Sequence, residues 1–434
     1  MNGATPQQIY VLSQGCAANF GDGEKIARAL QAQHPNAEIL FEIPDRAMEA
    51  PSGLRPLSKT TFYLNVCTVK GNAGAIKLLR SVHESFPQAA VYITGCAPKD
   101  FVAEATRVWS GIQFTSLHEI ELRQPAKVLS TGPRPARVLR ESPYVGIVNI
   151  EEGCLDACAF CSTHLVKGKL KSFEAGAIVE QVQKLVGDGC LEIQLSGQDC
   201  ACYGFDFGTN LAELVQNILV HVPGNYKLRL GMGNPRHVLG YQEALLDCFT
   251  DERVYQFIHL PVQSGSDRVL KLMNRRHSVA DYRQLAESFA KRFPLFTLST
   301  DLIVGHPGET PEDFEETLQL LKETRPTVCN ITRFVARPGT PAAKLDGQIP
   351  DALKHERSAR LFEAFQQIAL ENNRKWVGSQ CTVVTEKCGH RPGTTIARNT
   401  AYRPVALAGE FPAGQRLQVR IEGAEPFALT ASAL

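Results

Sequence analysis

The chain has 434 residues, 44% apolar and 21% charged, an ordinary globular composition long enough for two or three domains with cores of their own. Its 46 Lys and Arg against 45 acidic residues leave a net charge of +1, which excludes a uniformly basic nucleic-acid coat but not a local basic patch. No run approaches the roughly 18 consecutive apolar residues of a membrane span. The opening MNGATPQQIYVLSQG lacks the charged-then-apolar order of a signal peptide, so the expected location is the cytoplasm, away from membranes.

In chain order, QIYVLSQGC from Gln8, TTFYLNVC at 60–67 and AAVYITGC at 89–96 read as buried strands, with helical GEKIARALQAQ and GAIKLLRSVHESF between them. Strand and helix in alternation predict a Rossmann-like parallel sheet over residues 1–123, with functional loops beyond the strands' carboxyl ends. Each of these strands runs into a cysteine: Cys16, Cys67 and Cys96. Residues 124–143 hold four prolines, with Lys127, Arg134, Arg137 and Arg140 against Glu141. They read as a solvated linker, or as a basic strap for RNA phosphates.

From Tyr144, six strand-like runs (VGIVNI, LEIQLS, KLRLGM, YQFIHL, FTLSTDLIVG and VCNITRF) alternate with helical segments up to about residue 375. Six such units fall short of the eight that close a full barrel, so an open, partial (β/α)6 barrel is expected over 144–375. Thr310, Pro311 and Asp313 mark one helix start. Residues 376–434 change character to short strands and turns, a small all-β barrel.

Thirteen cysteines in a reducing compartment point to metal or redox chemistry rather than disulfides. The sharpest spacing is EEGCLDACAFC, which places Cys154, Cys158 and Cys161 within eight residues. A closed zinc site wants a fourth ligand, for which His164 is the nearby candidate. Three thiolates instead suit an iron–sulfur cluster with one iron open to a ligand, and Phe160 adds an aromatic wall. Cys190, Cys200, Cys202, Cys248 and Cys329 show no convergent spacing and read as packing residues, as do Cys381 and Cys388 unless His390 joins them on zinc. GMGNPR lacks the third glycine of a dinucleotide fingerprint.

C-x3-C-x2-C with an aromatic before the last cysteine resembles the radical S-adenosylmethionine (SAM) superfamily, whose fold is the partial barrel expected above. QGCAAN, NVCTVKGNA, ITGCAP, QLSGQDCACYGFD, HLPVQSGSDRVLKLMNRRH, TDLIVGHPGET and RFVARPGTPAAK are similar to segments of its methylthiotransferase family, and the C-terminal barrel resembles a TRAM RNA-binding module. NVCTVKG, HLVKGKLKS, RLGMGNP and NITRFVARPGTPAAK most resemble the archaeal and eukaryotic type that acts on threonylcarbamoyladenosine at tRNA position 37, without the eukaryotic membrane tail. Relatives acting on isopentenyladenosine or on a ribosomal-protein aspartate share the cysteine pattern, and a non-catalytic iron–sulfur or zinc RNA-binding protein is the alternative outside enzymology.

The resemblance implies two [4Fe-4S] clusters. Cys154, Cys158 and Cys161 would hold the one that cleaves SAM, and Cys16, Cys67 and Cys96 an auxiliary one that carries sulfur. A second SAM would give the methyl group. It further implies SAM contacts from Gly197, Gln198, Asp301, Ile303 and Gly305, with Arg229, Gln263 and Ser264 near the ends of later strands in reach of its carboxylate or ribose. Lys167, Lys169 and Lys171 crowd one loop beside the cysteine motif and read as a solvated face or as a phosphate contact, while Arg398, Tyr402 and Arg403 offer RNA cations and a stacking face and Arg275 and Arg276 a phosphate contact. Implied partners are tRNA, a flavodoxin- or ferredoxin-like reductant and a sulfur donor, for a monomeric enzyme.

Overall fold

The computed structural model describes residues 7–43, 60–67, 72–122, 139–389 and 391–434. Residues 124–138 of the expected linker, with Lys127, Arg134 and Arg137, lie outside the described residues, as do residues 68–71 and His390. The chain divides into two compact units: Met1–Pro143 with Leu165–Gly168, and Tyr144–His164 with Lys169–Leu434.

The first unit is built on a parallel sheet of β1 (Gln8–Ser13), β2 (Glu38–Leu40), β3 (Thr60–Cys67), β4 (Ala90–Cys96) and β5 (Gln113–Phe114), in the order β2-β1-β3-β4-β5. The period of two decides which face each side chain joins. Ile9 and Val11 pack with Ile26 and Leu30 of helix Ala17–Gln33 on one face. Tyr10 and Leu12 pack on the other with Ile76, Leu79 and Val82 of helix Ala73–Ser85. Register then matters for the cysteines, because Cys67 pairs directly across from Cys96 at the carboxyl ends of β3 and β4.

In the second unit, β6 (Val145–Asn149) is followed by two short antiparallel strands, β7 (Glu151–Glu152) and β8 (Lys171–Ser172). Then come β9 (Glu192–Ser196), β10 (Lys227–Arg229), β11 (Phe257–His259), β12 (Thr297–Val304) and β13 (Val328–Arg333). Two parallel three-stranded sheets, β10-β9-β6 and β11-β12-β13, meet through a parallel bridge between Leu228 and Val254. Among the described residues nothing pairs β13 with β6, so the barrel is open. Outward residues such as Val148, Ile193, Leu195, Leu228 and Leu302 are buried under helices in one continuous core. The alternate residues, including Gln194, His259, Asp301 and Asn330, face the half-exposed interior. Helix Pro311–Thr324 starts as its sequence predicts, with Thr310 and Asp313 closing a capping box and Pro311 in the first turn.

Five strands close the C-terminal barrel: β14 (Gln380–Cys388), β15 (Thr394–Asn399), β16 (Pro404–Ala408), β17 (Arg416–Ala424) and β18 (Leu429–Ala433), around Val383, Ala397, Leu407, Val419 and Leu429. The turn after β15 docks against the amino ends of the parallel strands. Gln256 N donates to Thr400 O at 3.0 Å and Thr297 Oγ1 to Ala401 O at 2.6 Å. Tyr402, at φ +61°, packs its ring against Tyr255 and Phe257.

Candidate functional site

The Cys154–Cys161 loop follows β7 through a turn at Gly153, whose φ of +82° a side chain would strain. It is held from several sides. Gln198 Oε1 accepts from Gly153 N at 2.8 Å, Ala159 N donates to Met273 O at 2.9 Å, and Asn274 Nδ2 donates to Ala157 O at 2.7 Å. Between the first two cysteines, Asp156 accepts from Asn234 Nδ2 at 2.6 Å and Arg236 Nη1, and lies 3.0 Å from His237 Nε2. Burial alone would raise the Asp156 pKa, but His237 and the Arg236 and Arg275 charges hold it below the usual carboxylate range.

Burial pushes the Cys158 thiol up to about 11, although the Arg275 guanidinium beside it opposes the rise. Cys154 is lowered, first by a hydrogen bond from Cys202. Cys202, expected as a packing residue, is fully buried, and its sulfur also lies with carboxylate and ring atoms of Asp199 and His237 in a buried group within 4.8 Å of one another. The usable signal was its place in the loop directly after β9, the strand next to β6. Glu151, 1% exposed, is raised to about 8 by burial, and its Oε2 has no hydrogen-bond partner. Three thiols with buried unpartnered polar atoms beside them (Glu151 Oε2, Arg275 Nε) suit a polar, multi-iron group.

The residues expected to contact SAM separate into two groups. Gly197 lies so close to Glu151 that a Cβ there would sit 1.9 Å from Oε1, and Gln198 is tied to Gly153, so both are beside the cysteine loop. Ile303 and Phe160 pack on Ala159, Phe334 and Ala342, giving the loop an apolar wall. Asp301 lies 2.9 Å from His259 Nε2 and accepts from Asn330 Nδ2 at 2.7 Å, a polar row across three strands. Gln263 adopts φ +80° and its backbone bonds Asp301 and Ile303. Three others do not face this site. Ser264 is 1% exposed and bonded to Thr317 and Ser266 N. Gly305 packs so tightly on Lys354 that a Cβ would lie 2.4 Å from its Cγ. Arg229 points to the amino ends of the strands, with its guanidinium 5.1 Å from the Phe257 ring and 5.0 Å from the Tyr402 ring.

In the first unit, the Cys16 and Cys96 thiols each hydrogen-bond Cys67, and these bonds together with burial raise both pKa values. The backbone makes room: a Cβ on Gly15, at φ +106°, would lie 2.3 Å from Cys67 Cβ, and one on Gly95, at φ +88°, 2.5 Å from Val66 O. Asn19 Nδ2 donates to Asn65 O at 2.8 Å and Asn65 Nδ2 to Asn19 O at 2.5 Å, locking the first turn of helix Ala17–Gln33 to the end of β3.

The Cys154–Cys161 loop falls within the segment matched by comparison with known protein families. A family model described as the Radical SAM superfamily matches residues 148–321. A probable threonylcarbamoyladenosine tRNA methylthiotransferase of Pyrococcus horikoshii is 34% identical, covering 93% of this chain and 95% of its own. The human threonylcarbamoyladenosine tRNA methylthiotransferase is 31% identical over 96% of this chain and 72% of its own. This chain belongs to the threonylcarbamoyladenosine tRNA methylthiotransferase family. Among solved structures, the radical S-adenosylmethionine methyltransferase TsrM of Kitasatospora setae superposes with a TM-score of 0.54 at 12% identity, over 90% of this chain and 81% of that one, which establishes the fold.

For a tRNA methylthiotransferase family member, the residues expected on RNA need correction. Arg403 is 4% exposed, its pKa lowered to about 9 by burial, and its guanidinium donates to Asn373 Oδ1 at 2.7 Å and Thr327 Oγ1 at 2.9 Å. Arg398 pairs with Glu386 at 2.8 Å and covers the Tyr402 ring, while Tyr402 OH lies 3.3 Å from Glu192. Tyr402 and Arg403 join the C-terminal barrel to the rest of its unit, whereas Arg398, with 26% of its side chain exposed, bonds within the barrel to Glu386 and Tyr402 O. Lys167 is paired with Asp22 at 3.0 Å in the first unit, whereas Lys169 and Lys171 are exposed. Arg275 turns to the Cys158 sulfur and Pro261 O, while Arg276 is exposed. Among the described residues, no helix is long and apolar enough to cross a membrane.

Proposed function

We propose that this chain attaches a methylthio group to C2 of N6-threonylcarbamoyladenosine at position 37 of tRNA, using two [4Fe-4S] clusters and SAM as both radical source and methyl donor. The observation that carries the reading is the N-terminal triad, in which Cys16 and Cys96 both hydrogen-bond Cys67 at the carboxyl ends of parallel strands, beside a C-x3-C-x2-C loop in the second unit of a chain related to these transferases along most of its length. Cys154, Cys158 and Cys161 hold one cluster; Cys16, Cys67 and Cys96 hold the other. When bound, these groups and SAM supply the electron, radical and sulfur that an unactivated aromatic C–H carbon demands and no side chain provides.

The chain's own residues bind and orient. Gln198 fixes the start of the cysteine loop through Gly153, and the Asp156 network fixes its middle. Phe160 and Ile303 form the wall for adenine, and the Asp301 row supplies hydrogen-bonding partners for ribose hydroxyls. Exposed Lys169 and Lys171, with Lys387 and Arg420 on the C-terminal barrel, meet tRNA phosphates. The enzyme works in the cytoplasm as a monomer, with a flavodoxin- or ferredoxin-like reductant and a separate sulfur donor.

The test is nucleoside mass spectrometry of tRNA carrying threonylcarbamoyladenosine, incubated anaerobically with reconstituted protein, SAM and reductant. The expected product is the 2-methylthio derivative. Formation of 5′-deoxyadenosine alone would keep the radical chemistry and reject the substrate. Neither product, from iron-replete protein, would reject the enzyme reading.

A further inference from the structure

The segment 273–275, which follows helix Asp267–Leu272, meets the cysteine loop at three consecutive residues. Met273 O accepts from Ala159 N, Asn274 Nδ2 donates to Ala157 O, and Arg275 Nη1 approaches Cys158 Sγ at 3.6 Å. Asn274 takes φ +54°, a left-handed conformation that asparagine tolerates better than most residues, and this aims the three contacts at one side of the loop. Arg275 is not a loosely placed surface cation. Its Nη2 donates to Pro261 O at 2.6 Å and its backbone N to Leu270 O at 2.8 Å, while Nε is buried without a partner. The nearby carboxylate, Asp156, is already engaged by Arg236, His237 and Asn234, so it does not take up the Arg275 hydrogen bonds.

We propose that Arg275 is a positioning residue that raises the reduction potential of the cluster held by Cys154, Cys158 and Cys161. The inference rests on reading those cysteines as a cluster site. A cluster gains one negative charge on reduction, and hydrogen bonds to its sulfurs, with the local charge, set how readily it accepts that charge. A guanidinium donating to the Cys158 sulfur stabilises the reduced form more than the oxidised form. Its tether to Pro261 O holds the donor in place. The same contact orders Cys158 before metal arrives.

The experiment uses the full chain with Cys16, Cys67 and Cys96 replaced by Ala, so that one cluster remains, and compares Arg275 with Arg275→Met and Arg275→Gln. Iron and sulfide content and the visible spectrum come first. If the parent variant with Arg275 intact binds no cluster, the reading of the loop fails, independently of Arg275. With the cluster present, potentiometric titration followed by electron paramagnetic resonance should show a lower midpoint in the Arg275 variants. The expected effect is about a tenfold smaller reduced-to-oxidised ratio at a fixed potential, about 59 mV for one electron. Variants that keep their iron with an unmoved midpoint overturn the proposal. If neither variant retains iron, Arg275 serves assembly alone and the tuning role is overturned as well.

Discussion

Cys67 occupies the middle of the N-terminal triad, since both Cys16 and Cys96 hydrogen-bond its thiol. Cys67→Ala should therefore abolish methylthio product while 5′-deoxyadenosine still forms; Cys158→Ala should abolish both. Chromatography with mass detection of the two products checks this, and thiolation by Cys67→Ala protein would remove the second cluster from the scheme. Glu24 contributes to the pH behaviour of the first unit, as does Glu141 beside it, also pushed to about 7 by burial. Glu24, 3% exposed, is pushed to about 7 by burial, against the opposing charges of Arg28 and Arg140. Its folded pKa lies above the unfolded one, so the folded state keeps the proton longer. This contribution to stability is complete below about pH 4.3 and is lost as pH rises through 7. Glu24→Gln should flatten that fall and stabilise the first unit at pH 8 by up to about 3 kcal/mol. Urea unfolding followed by hydrogen exchange in β1 and β3, at pH 5 and pH 8, would show the same slope in both proteins if the idea is wrong.

At the scale of elements, the cysteine triads depend on loops that turn sharply at strand ends. Gly15→Ala puts a methyl group where Cys67 Cβ already lies and imposes φ +106° on a residue that resists it. The loop after β1 should then swing Cys16 away. The expected result is loss of roughly half the reconstituted iron, with the radical-site cluster retained; undiminished iron would mean the loop tolerates the shift. Much of this element layer was legible in the sequence. Strand runs ending in cysteine, the 154–161 spacing and the Thr310 cap all rest on local patterns, and local patterns survive folding. Arg275, Cys202 and the Asn399–Arg403 turn did not announce themselves, because their partners are distant in sequence. Arg275 meets Cys158 and Arg403 meets Thr327 only through tertiary packing. An arginine beside a tyrosine in a small β-barrel reads the same whether it faces nucleic acid or a neighbouring sheet.

That ambiguity separates two views of how the C-terminal barrel serves the second unit. In the sequence view it is a detachable RNA module whose arginines contact phosphate. In the structure it is keyed into the parallel strands by Tyr402 and Arg403, and residues Tyr144–His164 and Lys169–Leu434 form one compact unit. Arg403→Ala separates the views. Removing the guanidinium leaves Asn373 Oδ1 and Thr327 Oγ1 without their present partner inside the fold, at about 1–3 kcal/mol for each buried group. The melting temperature of the second unit should fall by roughly 5–10 °C. Affinity for tRNA, measured below the transition, should keep its salt dependence, because no phosphate contact has been lost. Replacing exposed Lys387 or Arg420 should do the opposite, lowering the slope of log affinity on log salt by about one per lost contact with melting unchanged. An Arg403→Ala protein that melts normally but binds tRNA with a smaller salt slope would return Arg403 to the RNA surface and make the barrel the separable module its sequence suggests.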